Sequence, residues 1–79
     1  MPLAKTEKEW AERIARHLKA ELKRADVTYE ELAERLKSHG FAETKASIAN
    51  KLARATVPAA FFLACLAALE LEGIQLGDI

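Results

Sequence analysis

Apolar residues along the chain arrive in four groups, each with helical spacing. In the first, Trp10, Ile14, Leu18, Leu22 and Ala25 recur at steps of three and four, which is one face of a 3.6-residue helix. Thr6-Glu7-Lys8-Glu9 precedes the stripe and reads as a capping box: the threonine oxygen accepts from the amide three residues on, and the glutamate reaches back. The pattern predicts a long helix from about Glu7 to Ala25. Lys8, Glu12, Arg13, Arg16, Lys19, Lys23 and Arg24 fall largely off the stripe. Glu21 lies near Trp10 and Ile14 on the wheel and is expected to reach the rim and pair with a neighbour such as His17, one turn earlier.

Thr28-Tyr29-Glu30-Glu31 is a second capping box, and Tyr29, Leu32, Ala33 and Leu36 follow at i, i+3, i+4 and i+7. This predicts a second helix from about Tyr29 to Ser38, closed by Gly40, a residue at ease in the left-handed conformation. Phe41 then anchors the following loop in the core. Thr44 is a suitable N-cap for a third helix, about Lys45 to Ala55, with Ile48, Leu52 and Ala55 as a narrow apolar stripe. Pro58 suits the first turn of a fourth helix, about Pro58 to Leu71. Phe62, Leu66 and Leu69 face one way there, flanked by Phe61 and Cys65, and the other side is almost wholly Ala and Leu. A helix apolar all round is buried on more than one side. Gly73 ends it, and Ile74, Leu76 and Ile79 give the tail something to dock.

The expected fold is therefore all-α: one compact four-helix domain over residues 1–79. Its core is expected from Trp10, Ile14, Leu18, Leu22, Leu32, Leu36, Phe41, Ile48, Leu52, Phe62, Leu66 and Leu69. With 79 residues there is room for one core only. Hydrophobic types at 51% are too frequent for a disordered chain. A single cysteine, Cys65, excludes an intramolecular disulfide and a thiolate zinc cluster. The longest apolar stretch, Val57 to Leu69, is too short to span a bilayer, and Met1 to Thr6 lack a signal-peptide core. A cytoplasmic protein without membrane contact is expected.

Twelve bases balance twelve acids, so the formal net charge is zero, but the charge is unevenly spread. Residues 1–54 carry all twelve bases and nine acids, and residues 55–79 carry three acids and no base. Between 35 and 54, Arg35, Lys37, Lys45, Lys51 and Arg54 face Glu43 alone. Such a cluster is either a solvated face or a phosphate-contacting surface.

A long helix, then T-Y-E-E-L-A-E-R-L (Thr28 to Leu36), a turn, a short polar-faced helix, a proline and an apolar helix resembles the λ-repressor/Cro-type helix-turn-helix domain. The Leu32-Ala33 pair and the ending A-A-L-E-L-E-G-I-Q-L-G-D-I match that family over roughly residues 28–79. The motif itself falls at about 28–55. Its turn, Lys37 to Thr44, is longer than the family's usual tight turn. The whole chain also resembles a group of short bacterial proteins known only as a domain of unknown function. The helix-turn-helix resemblance implies that the third helix reads double-stranded DNA. Lys45, Ala46 and Asn50 then occupy the positions that reach base edges, with Ser47 beside them, and Lys51 and Arg54 touch the backbone. Arg35 and Lys37 add to the basic surface. Asn pairs with adenine through two hydrogen bonds, and Lys reaches guanine or phosphate.

Two function classes follow: a DNA-binding regulator or accessory protein, or a small helical protein-interaction module without DNA binding. The Ala-rich side of the last helix (Ala60, Ala64, Ala67) further points to a homodimer through 58–71. Enzyme chemistry has little to work with. His17 and His39 sit on different elements, Ser38 and Ser47 lack a recognisable base, and no Gly-rich phosphate loop is present. No metal and no cofactor are expected.

Overall fold

A computed structural model describes residues 3–79; Met1 and Pro2, counted in the expected domain, lie outside the described residues. The described residues form four α-helices and two short 3-10 turns, with no strand among them. Helix α1 is Glu7–Ala25, α2 is Tyr29–Leu36, α3 is Lys45–Ala53 and α4 is Ala59–Ala68. The all-α four-helix reading holds. α2 packs on both α3 and α4, and α1 lies against the same pair.

The helices start where their caps are. Thr6, Thr28 and Thr44 each accept a hydrogen bond from the amide three residues on. The boxes themselves differ. Glu9 reaches past Thr6 to accept from the Lys5 amide at 3.1 Å, and Glu31 takes Arg35 as its partner instead of reaching back. Only the third box closes in both directions, with Ser47 in the role of the usual Glu or Gln.

All four helices close in the same way; α1 ends at Ala25 as expected, while α2, α3 and α4 stop earlier. The amides of Val27, Phe41, Thr56 and Leu71 each bond a carbonyl five residues back, on Leu22, Leu36, Lys51 and Leu66. The residue before each of them is left-handed: Asp26, Gly40, Ala55 and Glu70. This is the Schellman closure, and an apolar residue just beyond it (Val27, Phe41 and Leu71) packs on the core. Only one of the four left-handed residues is glycine. Without that signal, α3 and α4 are expected to run to Ala55 and Leu71, but stop at Ala53 and Ala68. Likewise α2 ends at Leu36, and Lys37–His39 tightens into a 3-10 turn.

The core is built from Leu18, Leu22, Leu32, Leu36, Ile48, Leu52, Phe62, Leu66 and Leu69, as the pattern implies, together with Ala15, Val27, Ala33, Phe61, Cys65 and Ala68. Ile14 and Phe41 pack against it while partly buried. Trp10 does not belong to it: it lies partly buried one turn before Ile14, outside the buried cluster. Phe61, expected as a flanking residue, is among the most buried side chains. Glu21 also departs from expectation. It is buried and pairs with Arg24, one turn later, while the His17 ring makes a T-shaped contact with Phe62, 6.5 Å between centroids.

Candidate nucleic-acid interface

α3 is nine residues long and divides into four strips. Ile48 and Leu52 face the core and are nearly inaccessible. Two flanks are engaged by neighbouring elements. The remaining outer strip, Ala46, Asn50, Ala53 and Arg54, is exposed at i, i+4, i+7 and i+8, the spacing of one helix face.

Of the eight residues that the sequence singles out, six belong to these strips. Ala46 and Asn50 stand on the outer strip, and Arg54 caps the helix beside them. Among the described residues, no hydrogen bond or ion pair engages the side chains of Asn50 and Arg54. Lys45 turns instead to the α2 edge, where its ammonium lies 3.5 Å from Glu30, both side chains exposed. Ser47 is occupied by the cap: its Oγ accepts from the Thr44 amide at 2.9 Å and donates to Glu43 at 2.6 Å.

Lys51 is held more firmly. Its ammonium donates to both Glu43 oxygens, at 2.9 and 3.1 Å, and sits 5.2 Å above the centre of the Phe61 ring. Burial pushes the Glu43 carboxyl up, but hydrogen bonds from Ser47 and Lys51 and the Lys51 charge outweigh it, so its pKa is lowered. Beneath them lies Cys65, fully buried; burial and the Glu43 charge push its thiol up to about 12. A thiol in that state is packing, not chemistry.

Arg35 and Lys37 lie on α2 and the turn after it. The Arg35 guanidinium donates to the Ala68 carbonyl at 3.0 Å and to Glu31 at 2.6 Å, tying α2 to the end of α4. Lys37 pairs with Glu34 at 2.8 Å across an exposed surface. The structure thus brings Ala46, Asn50 and Arg54 to one open face, with Lys45 at its edge. It places Ser47, Lys51 and Arg35 in internal contacts. Glu43, read from the sequence only as the lone acid in a basic stretch, is the centre of the polar network beside that face. The signal that could have found it is the Glu43, Ser47, Lys51 spacing of four and four.

A cleft of about 710 Å³ lies between α1 and the tail, lined by Arg13, Arg16, His17, Arg24, Ile74 and Ile79 among others. Arg13 donates to the Ile79 carbonyl there at 3.3 Å. Among the described residues no cluster of His, Cys, Asp and Glu could hold a metal ion, and no helix is long and apolar enough to cross a membrane.

The class these features define is an all-α domain with a short, half-polar helix presented on its surface. The chain belongs to the family described as Domain of unknown function (DUF6471), whose match covers residues 10–74. No curated protein and no solved structure matches it.

Proposed function

We propose that this protein binds double-stranded DNA as a regulator or accessory factor, with α3 entering the major groove. One observation carries the reading: an outer strip of small residues, Ala46 and Ala53, with Asn50 and Arg54 between and beside them, exposed and with no side-chain hydrogen bond or ion pair among the described residues. Small side chains let a helix backbone approach the base edges closely. Asn50 supplies the paired donor and acceptor that read adenine, and Arg54 reaches a phosphate from the last turn. Lys45 and Lys37 can exchange their carboxylate partners for phosphates at little cost, because exposed ion pairs contribute roughly 0–1 kcal/mol.

The test is fluorescence anisotropy on random and selected duplexes across a salt series. With about two to four phosphate contacts, the log–log salt slope should lie near −2 to −3.6. Asn50→Ala should cost about 1–3 kcal/mol at a preferred site and little on random duplex. Arg54→Ala should weaken all sequences alike and flatten the slope by about 0.9. No binding at tens of micromolar protein in low salt overturns the reading.

A second reading, a protein-interaction module, has its own observation. Ala59, Ala60, Leu63 and Ala67 are exposed along one side of α4, with Leu63 at 62%. A second copy of the chain packed there is the homodimer that the Ala-rich pattern points to. Sedimentation showing only monomer at high micromolar concentration removes the homodimer; Leu63→Glu should abolish the assembly if it forms.

A further inference from the structure

The lengthened turn carries structure of its own. After Gly40, the Phe41 ring stands edge-on to Phe61, 6.0 Å between centroids. Two residues later Glu43 turns its carboxylate back along α3, where Ser47 and Lys51 donate to it. Ser47 and Lys51 stand one turn apart on one flank of the helix, and Glu43, just ahead of the cap, reaches both. Lys51 in turn covers the Phe61 ring. Turn, α3 and α4 are thereby joined through one ammonium group. The Lys51 and Glu43 side chains are 27% and 11% exposed, against 63% and 72% for Lys37 and Glu34. The first pair is sheltered from solvent screening and the second is not.

Packing alone leaves α3 one freedom. Its two core side chains, Ile48 and Leu52, are one turn apart and define a line along the helix. They hold α3 at its distance from the core but resist rolling about that line only weakly. On one flank Lys45 and Glu30 meet at 3.5 Å in solvent. The opposite flank has the sheltered network.

We propose that Glu43 and Lys51 are positioning residues: they latch α3 to the turn and to Phe61, set the roll of the Ala46–Asn50–Arg54 face, and spend the Lys51 charge inside the molecule instead of on a phosphate. The functional half of this inference rests on the DNA-binding reading, and the latch itself does not.

Glu43→Gln separates the two roles of Lys51 by sign. If Lys51 contacts phosphate, Glu43→Gln frees the ammonium and removes a negative charge, so it tightens binding, while Lys51→Met weakens it. If the pair is a latch, both changes disturb the same helix. Each then weakens binding to a random duplex by roughly 3- to 30-fold, and the double variant is no weaker than the worse single one, as for residues acting as one unit. Lys51→Arg, which keeps both the ion pair and the ring contact, restores binding. The measurement is anisotropy at 50 mM salt, with circular dichroism confirming that each variant is folded. Should Lys51→Met fail to fold, Glu43→Gln alone still separates the two roles by sign: tighter binding for a phosphate contact, weaker binding for a latch. Tighter binding by Glu43→Gln, or additive losses in the double variant, overturns the proposal. Thermal melts of the same four chains without DNA judge the latch independently. Non-additive losses in melting temperature support it, and additive ones reject it. A wild-type chain that binds no duplex while its melts show coupling sinks the DNA reading and leaves the latch standing.

Discussion

α3 and α4 are nearly equal in length and are held in opposite ways. α4 buries Phe61, Phe62, Cys65, Leu66 and Ala68, carries no charge, and has no side-chain cap. α3 buries only Ile48 and Leu52, and is fastened by a two-way cap, a sheltered ion pair and an amino–aromatic contact. Volume holds α4, and direction holds α3. An element held by volume tolerates rotation of individual groups but not loss of mass. One held by a few directional contacts keeps a defined face toward solvent while leaving that face free of large apolar residues. The contrast extends to their open sides: Ala46, Asn50 and Arg54 on α3, but Ala59, Ala60, Leu63 and Ala67 on α4.

The contrast breaks first at Phe61, which belongs to both regions. Phe61→Ala should cost about 3–5 kcal/mol of unfolding free energy. It also removes the ring under Lys51 and beside Phe41, so amide exchange in α3 should accelerate together with that in α4. Unchanged protection in α3 would separate the two regions. Next comes acid. The Glu43 carboxyl is held below its ordinary value of 4.5, so the folded state binds that proton less tightly than the unfolded one. The stability this gives is fully present above the ordinary value and is lost as pH falls through the lowered one. Melting temperature of the wild type should therefore drop more steeply below about pH 4.5 than that of Glu43→Gln; parallel curves would remove Glu43 from the account. Thr44→Ala, which strips the α3 cap, should cost about 1 kcal/mol in denaturant melts, whereas the exposed Pro58→Ala at the start of α4 should cost less, since no side-chain bond is lost there. Smallest is a gain. Glu70 closes α4 in the left-handed conformation, φ 62°, and Glu70→Gly should stabilise by about 0.5–1 kcal/mol. A loss on that substitution would show that the side chain, not the backbone, governs the end of α4.

The start of every helix was legible in the chain. Thr6, Thr28 and Thr44 bond amides only three residues away, and Pro58 sets its own φ, so these signals are contained in short windows. The buried faces of α1 and α2 were legible too, because Leu18, Leu22, Leu32 and Leu36 repeat at the helical period. The ends of α3 and α4 were not. Ala55 and Glu70 adopt a conformation that only glycine advertises, and they do so because the chain beyond them must turn back to the core.

The candidate site divides along the same boundary. That Ala46, Asn50 and Arg54 share the side of α3 opposite Ile48 and Leu52 follows from helical spacing alone, so the residue pattern by itself determined an all-α chain, its four helices and the identity of the open face. Which charges remain available on that face was decided by the tertiary structure. Lys51 looks in the sequence like any other base in a basic stretch. It is withdrawn because the turn folds Glu43 back to within 2.9 Å and α4 brings Phe61 beneath it. Arg35 is withdrawn because the end of α4 presents the Ala68 carbonyl. The physical reason is range: caps and periodicity act within a few residues of the chain, whereas an ion pair chooses its partner by distance in space, and that distance exists only once the helices have packed.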